Sequence, residues 1–135
     1  MTIKQWLSRG RGVDQEIDAL LKTRRETFDR LTSIAAQTTG DVVMASKDPH
    51  KYDRLVELND LIDRRIDELV GIKAEILTAI NQLEDWRHRA VLRSRYVDMK
   101  TWEQTAVDMH YSYMQVTRIH GYALIALDEL MGKRM

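Results

Sequence analysis

The sequence predicts an all-α protein: a long antiparallel helical hairpin, similar to a coiled coil, followed by a C-terminal helix-turn-helix domain. One proline and six glycines in 135 residues are too few turn formers for a fold of many short strands. Hydrophobic residues make up 44% of the chain, which is enough for a packed core. Apolar residues also recur at helical and heptad spacing. We therefore expect residues 1–84 to form a hairpin and oligomerisation arm, and residues 85–135 to form the second domain.

The first helical segment is predicted to extend from about Thr2 to Gln37. Gly10 and Gly12 are expected to interrupt or kink it, because each glycine destabilises a helix by about 1 kcal/mol relative to alanine. A loop is predicted at about 38–48, where the periodicity is lost. The apolar positions at helical spacing are Val13, Ile17, Leu20, Leu21, Phe28, Leu31 and Ile34.

The second helix shows the clearest periodicity in the chain. Asp48-Pro49 is a suitable start, since aspartate caps free amides and proline is tolerated at the first helical position. The helix would span about 35 residues, or about 50 Å at 1.5 Å per residue. Its apolar seam must be covered either by the first helix or by a second copy of the chain. The residues at seven-residue spacing are Leu55, Ile62, Leu69, Ile76 and Leu83.

Short helices are predicted after Leu83. One would extend from Trp86 to Tyr96, and Asp98-Met99-Lys100 would form a turn. Thr101 with Gln104, and Ser112 with Gln115, have capping-box spacing. These boxes would begin two helices, Trp102–Met109 and Tyr113–Met131. The order of a very short helix, a tight turn and a capped helix is that of a helix-turn-helix.

The last helix has two distinct faces. Its core stripe would be Val116, Ile119, Ala123, Leu124 and Leu127. The remaining positions of its first two turns are those with which a recognition helix contacts base edges in the major groove, and they are Tyr113, Met114, Gln115, Thr117 and Arg118. Arginine pairs with guanine, glutamine with adenine, and a threonine methyl with thymine. An ordinary polar helix surface would show the same pattern, so the sequence leaves both interpretations open.

Charge distribution supports a nucleic-acid partner weakly. The net charge is zero, but Trp86 to the C-terminus carries eight Lys/Arg against five Asp/Glu, and residues 1–85 carry thirteen against sixteen. Contacts to DNA phosphates would set the affinity and the position of the protein on the duplex, but they carry no information about base sequence. The candidates for these contacts are Arg87, Arg89, Arg93, Arg95, Lys100, Thr101 and Ser112.

The strings VLRSRY (91–96), TWEQTA (101–106), YS (111–112), QV (115–116), RIHG (118–121) and AL (123–124) resemble the sigma-70 region 4-like, ArpU-type regulators of phages and prophages. The resemblance extends back through the Leu55–Leu83 helix and is weakest at 36–50. It implies a helical fold with a C-terminal helix-turn-helix and a sequence-specific DNA-binding transcription regulator. Carried over by position, Arg95 and Thr101 would contact phosphate, and Tyr113, Gln115, Thr117 and Arg118 would read bases.

The sequence departs from this family pattern at two places. Thr105 stands where isoleucine is usual, so we expect a looser core beneath the short helix. The reading turns lack the multiple arginines and the glutamate of sigma factors, and a preference for a −35 element therefore does not transfer.

No enzyme, cofactor or metal site is expected. Cysteine is absent, no histidine pair has HExxH spacing, and no P-loop, GxGxxG or GxSxG is present. The expected partner is double-stranded DNA, and RNA polymerase is a further candidate. We expect the chain to form a homo-oligomer, a dimer, and not to associate with a membrane. The expected location is the cytoplasm of a bacterial host cell. Two alternatives remain: a sigma-like protein that docks on RNA polymerase or on a sigma factor without reading DNA, and a DNA-packaging subunit of the small-terminase kind.

Overall fold

The computed structural model of the chain describes residues 1–37 and 50–132, and throughout these ranges the regular secondary structure is helical. The prediction of an all-α fold is therefore confirmed. The predicted loop at about 38–48 and the Asp48-Pro49 helix start lie outside the described residues. None of the described helices is long and apolar enough to cross a membrane. The helices are α1 (Ile3–Ser8), α2 (Val13–Gln37), α3 (Lys51–Asn81), α4 (Trp86–Tyr96), α5 (Trp102–Met109) and α6 (Tyr113–Gly132).

The chain divides into two compact units. The terminal unit combines Met1–Val13 with the chain from Val70 onward, and the middle unit is Asp14–Leu69. The sequence-based division after residue 84 differs from this one. The reason is that α1 and the last turns of α3 contribute side chains to the same core as α4 and α6.

The core of the terminal unit brings together side chains that are far apart in sequence. Leu7 of α1, Ile76 and Ile80 of α3, Leu92 of α4 and Leu127 of α6 are each at most 1% exposed. Burying a side chain of this size stabilises the fold by about 1.5–3 kcal/mol. The rest of this core cluster is formed by Ala79, Leu83, Tyr96, Val97 and Ala123.

The predicted interruption between α1 and α2 is confirmed, and its two glycines have different physical roles. Gly10 is buried, and a Cβ atom there would lie 2.9 Å from Ile76 Cδ1 and 3.1 Å from the Tyr96 carbonyl oxygen. Gly12 has φ +78°, a left-handed conformation that glycine adopts without steric cost. The break therefore allows close packing at Gly10 and a left-handed backbone conformation at Gly12.

The middle unit contains most of α2 and the first part of α3. Arg65 Nε donates to Glu16 Oε1 at 2.8 Å, and Arg24 pairs with Asp63. Ile62 and Leu69 are buried, as the heptad seam predicts, whereas Leu55 is only half-buried. Several large apolar side chains of this unit remain exposed, namely Leu21, Phe28, Tyr52, Val56 and Leu61.

Candidate functional site

The turn between α4 and α5 begins the candidate site, and it forms where the sequence predicts it. Met99 takes φ 59°, and the Lys100 amide donates to the Ser94 carbonyl at 2.8 Å. Arg95 Nη1 donates to the Lys100 carbonyl at 2.6 Å, so this guanidinium closes the turn. Arg95, predicted to contact phosphate, therefore also holds the turn that leads into α5.

The predicted capping box at the start of α5 forms only in part. The Thr101 hydroxyl accepts a hydrogen bond from the Gln104 amide at 3.1 Å, but the Gln104 side chain donates to Asp108 Oδ1 at 2.8 Å instead of returning to the cap. Thr105 is fully buried, and its hydroxyl donates to the Thr101 carbonyl at 2.8 Å. The threonine hydroxyl therefore has a partner within the helix, and the looser core expected from the sequence stays a prediction.

The connection from α5 to α6 is short and well defined by hydrogen bonds. His110 ends α5 in the left-handed region with φ 60° and ψ 37°, and the Tyr111 amide donates to the Ala106 carbonyl at 3.0 Å. Ser112 and Gln115 then form the complete predicted capping box. The Gln115 amide donates to Ser112 Oγ at 3.2 Å, and the Ser112 amide donates to Gln115 Oε1 at 2.8 Å.

The first turns of α6 separate a buried side from an exposed side. Val116 is fully buried against Val91 and Ala106, while Ile119 packs there half-buried. Further along, Ala123 and Leu127 are also 0% exposed. The side chains of Tyr113, Met114, Gln115 and Arg118 are exposed, and Thr117 is half-buried.

The five predicted base-reading residues differ in how free their polar groups are. The Thr117 hydroxyl donates to the Met114 carbonyl at 2.9 Å, which leaves its methyl group and both acceptor lone pairs available. The Gln115 side chain is held in the capping box, so pairing with both atoms of an adenine edge would compete with the helix cap. Arg118 makes no ion pair with any described residue. Its guanidinium is therefore free of the kind of hydrogen bond that engages the side chains of Gln115 and Thr117.

Most of the predicted phosphate-contacting residues cluster near the start of α5, but their polar groups already have protein partners. Lys100 Nζ lies 2.7 Å from Asp108 Oδ2, and this hydrogen bond raises the pKa of Lys100 and lowers that of Asp108. Arg93 Nε lies 3.7 Å from Asp98. Thr101 and Ser112 act as helix caps. The local positive potential is therefore smaller than the number of cations suggests.

A cleft beside α6 contains residues that were not predicted for the site. This α4–α6 cleft has a volume of about 270 Å³, and its position depends on the fold, because the first turn of α4 lies beside the middle of α6. Tyr122 follows Arg118 at helical spacing, a signal that could have identified it. Arg87 is a predicted phosphate contact, but no local signal places it beside α6. The lining residues are Arg87, His88, Tyr111, Gln115, Arg118, Ile119 and Tyr122.

Arg87 is oriented by the residue that caps α4. The Asp85 carboxylate accepts a hydrogen bond from the Arg87 backbone amide at 2.9 Å. Its two oxygens also accept hydrogen bonds from the Arg87 side chain, from Nε at 3.2 Å and from Nη2 at 2.9 Å. These hydrogen bonds hold the pKa of Asp85 at about 2. The Trp86 ring is stacked on Tyr111, with centroids 6.4 Å apart. Together these contacts fix the side of the cleft that α4 contributes.

A half-buried aromatic cluster connects the three short helices. His120 Nε2 lies 2.8 Å from the Tyr96 hydroxyl, and the Trp102 ring meets the His120 ring edge-on at 4.8 Å. The Arg95 guanidinium lies 4.2 Å from the Trp102 ring centre. Burial lowers the pKa of His120 to about 4. Trp102 and His120 therefore pack against each other in this cluster.

Comparison with known proteins gives one finding. The family described as "Protein of unknown function (DUF1492)" matches residues 36–128, which is more than half of the chain and includes α3 through most of α6. No curated protein and no solved structure matches the chain. Among the described residues, no three histidine, aspartate or glutamate side chains converge on a point where they could hold a metal ion.

Proposed function

We propose that this chain, which belongs to the DUF1492 family, is a sequence-specific DNA-binding transcription regulator of phage or prophage origin, similar to the sigma-70 region 4-like regulators. In this proposal α5 and α6 form a helix-turn-helix, and α6 enters the major groove of double-stranded DNA. Helices α2 and α3 would pair as an antiparallel arm that also joins two copies of the chain. The protein would act in the cytoplasm of a bacterial host cell.

The observation that carries the proposal is the division of α6 into a fully buried side and an exposed side within its first two turns. Val116 fixes the helix to α4 and α5, while Met114 and Arg118 on the opposite side are exposed. A recognition helix needs this arrangement, because its N-terminal turns must be rigidly held and also free to approach base edges. The left-handed His110 and the Ser112 cap support the same reading, since together they make the turn before α6 tight.

Arg118 is the residue best suited to base recognition. Its guanidinium has five N–H donors, none occupied by a carboxylate of the described residues, and arginine bonds guanine O6 and N7 in a bidentate manner. Met114 and the Thr117 methyl would supply apolar contact to thymine. Gln115 would contribute mainly by holding the first turn of α6 in place.

The arm assignment rests on the middle unit. The pairs Glu16–Arg65 and Arg24–Asp63 join α2 to α3 at positions that advance along one helix and recede along the other, as in an antiparallel pair. Exposed ion pairs of this kind contribute only about 0–1 kcal/mol each. The apolar side chains that remain exposed beside them, Phe28 and Val56 among them, would be covered by a second copy in the proposed dimer.

The test is selection of bound sites from random double-stranded DNA, followed by binding of the Arg118→Ala variant to the selected duplex. We expect a loss of about 1–3 kcal/mol and relaxed selectivity at one base position. Arg64→Ala is the matched control, because Arg64 is an exposed arginine on α3 and should not change base preference. If Arg118→Ala binds the selected site as tightly and as selectively as the wild-type protein, the assignment of the reading face is wrong.

A second candidate function is docking on RNA polymerase or on a sigma factor without DNA reading. It is favoured by two observations: Tyr122 and Ile125 are each 59% exposed on the side of α6 that carries Met114, and Lys100 is already paired with Asp108. A gel shift with random duplex over a salt series separates the two functions. Binding at low salt that weakens steeply with added salt supports DNA reading, and absence of binding at low salt supports docking.

A further inference from the structure

We propose that the α4–α6 cleft holds a backbone phosphate of the bound DNA against the guanidinium group of Arg87. The inference rests on the proposed function and extends it, because it places one predicted phosphate contact, Arg87, in a defined site beside α6. The cleft would fix the depth and register of α6 in the groove, while the exposed side of α6 contacts the bases.

The position of the cleft relative to α6 supports this assignment. A helix inserted in a major groove about 12 Å wide has a phosphate chain along each flank. Met114 and Arg118 are on the most exposed side of α6, and Gln115, Ile119 and Tyr122 follow around the helix towards α4. The first turn of α4 therefore stands beside α6 where one of the two phosphate chains would run.

The cleft also has the donors that a phosphate needs. Asp85 accepts hydrogen bonds from Arg87 Nε and Nη2, and the Arg87 side chain is also hydrogen-bonded to Tyr111, so its remaining N–H groups are left for another acceptor. The hydroxyl groups of Tyr111 and Tyr122, which also line the cleft, can donate as well. Charge-assisted hydrogen bonds from a guanidinium group are among the stronger contacts that a protein makes to phosphate.

Asp85 has two opposing effects in this arrangement. It aims the Arg87 side chain through two side-chain hydrogen bonds, which favours phosphate binding. Its negative charge also offsets that of Arg87 and would repel the phosphate. Because its pKa is about 2, the carboxylate stays ionised at every pH suitable for a binding experiment. Asn in place of Asp85 would keep the helix cap and remove the charge, since both residues are good N-caps.

The experiment measures binding of the full-length protein to a random-sequence duplex of about 30 base pairs by fluorescence anisotropy, at salt concentrations from about 50 to 200 mM. Arg87→Gln should weaken binding roughly three- to tenfold and reduce the salt slope by about 0.9, the loss of one phosphate contact. Arg64→Gln is the control for loss of a distant exposed arginine and should change neither quantity. Circular dichroism melting of each variant shows that the fold is retained.

Each outcome has a definite consequence. If the wild-type protein binds no duplex at low salt, both the proposed function and the phosphate site are wrong. If it binds but Arg87→Gln has the affinity and salt slope of Arg64→Gln, the phosphate site is wrong and the proposed function stands.

Discussion

Acidification is expected to destabilise the terminal unit through His120. The ring lies between Tyr96 and Trp102 and is hydrogen-bonded to the Tyr96 hydroxyl, and Lys4 and Arg95 add positive charge nearby. Burial is the main reason that the pKa of His120 falls from the ordinary value of 6.5 to about 4. The folded state therefore keeps this imidazole neutral at pH values where the unfolded chain already binds a proton.

The sign and size of the effect follow from these two pKa values. Above pH 6.5 both states are neutral, so the contribution is fully present; it is lost as the pH falls from 6.5 towards 4. At pH 5 the difference in proton binding corresponds to about 2 kcal/mol for pKa values of 6.5 and about 4. Since the ring is only half-buried, solvent screening reduces the expected loss to about 1–2 kcal/mol.

Urea unfolding at pH 7.5 and pH 5, followed by circular dichroism, measures this loss. Wild type should lose about 1–2 kcal/mol more between the two pH values than His120→Gln, which keeps a polar side chain but does not titrate. The difference between the proteins isolates His120 from the other titrating groups. Equal losses for the two proteins would refute the argument that burial of the neutral ring sets the acid sensitivity.

Two further predictions concern packing and are measured by the same unfolding experiment at pH 7.5. Leu127→Ala should lower the free energy of unfolding by about 2–5 kcal/mol because the side chain is fully buried. Ile125→Ala on the same helix should lower it much less, because Ile125 is 59% exposed. Equal losses would contradict the orientation of α6. Gly10→Ala should lower the free energy of unfolding by about 1–3 kcal/mol, since the added methyl group would overlap a side chain and a backbone carbonyl. Gly121→Ala places its methyl group in open space on a helix and should stabilise the protein by about 1 kcal/mol. A Gly10→Ala variant as stable as wild type would contradict the close approach of α1 to the core.

Features governed by a few neighbouring residues could be predicted from the sequence. The bounds of α4 and α5 agree with the prediction, and α6 extends one residue further, to Gly132. The Ser112–Gln115 box formed as expected, because both partners lie within one helical turn. The Thr101 box formed only in part, because Asp108, one turn beyond Gln104, offers its side chain a charged acceptor.

Features that depend on distant parts of the chain could not be predicted. Leu7 joins the core of the C-terminal helices, and no local pattern assigns a single leucine of a short helix to that partner. Arg87 enters the α4–α6 cleft only because α4 packs beside α6. Gln115, Thr117 and Arg118 share one polar helix surface in the sequence, but the structure distinguishes them by the hydrogen bonds that occupy the first two.

The terminal unit is assembled from segments that are synthesised at different times, and this determines when its core can form. Residues 1–13 are made before Leu92 and Leu127, which share a core with Leu7. By itself α1 is a six-residue helix, which is too short to persist in water. The core is therefore completed only when segments far apart in sequence meet, and removing residues 1–13 should weaken the C-terminal helices although they are far away in sequence.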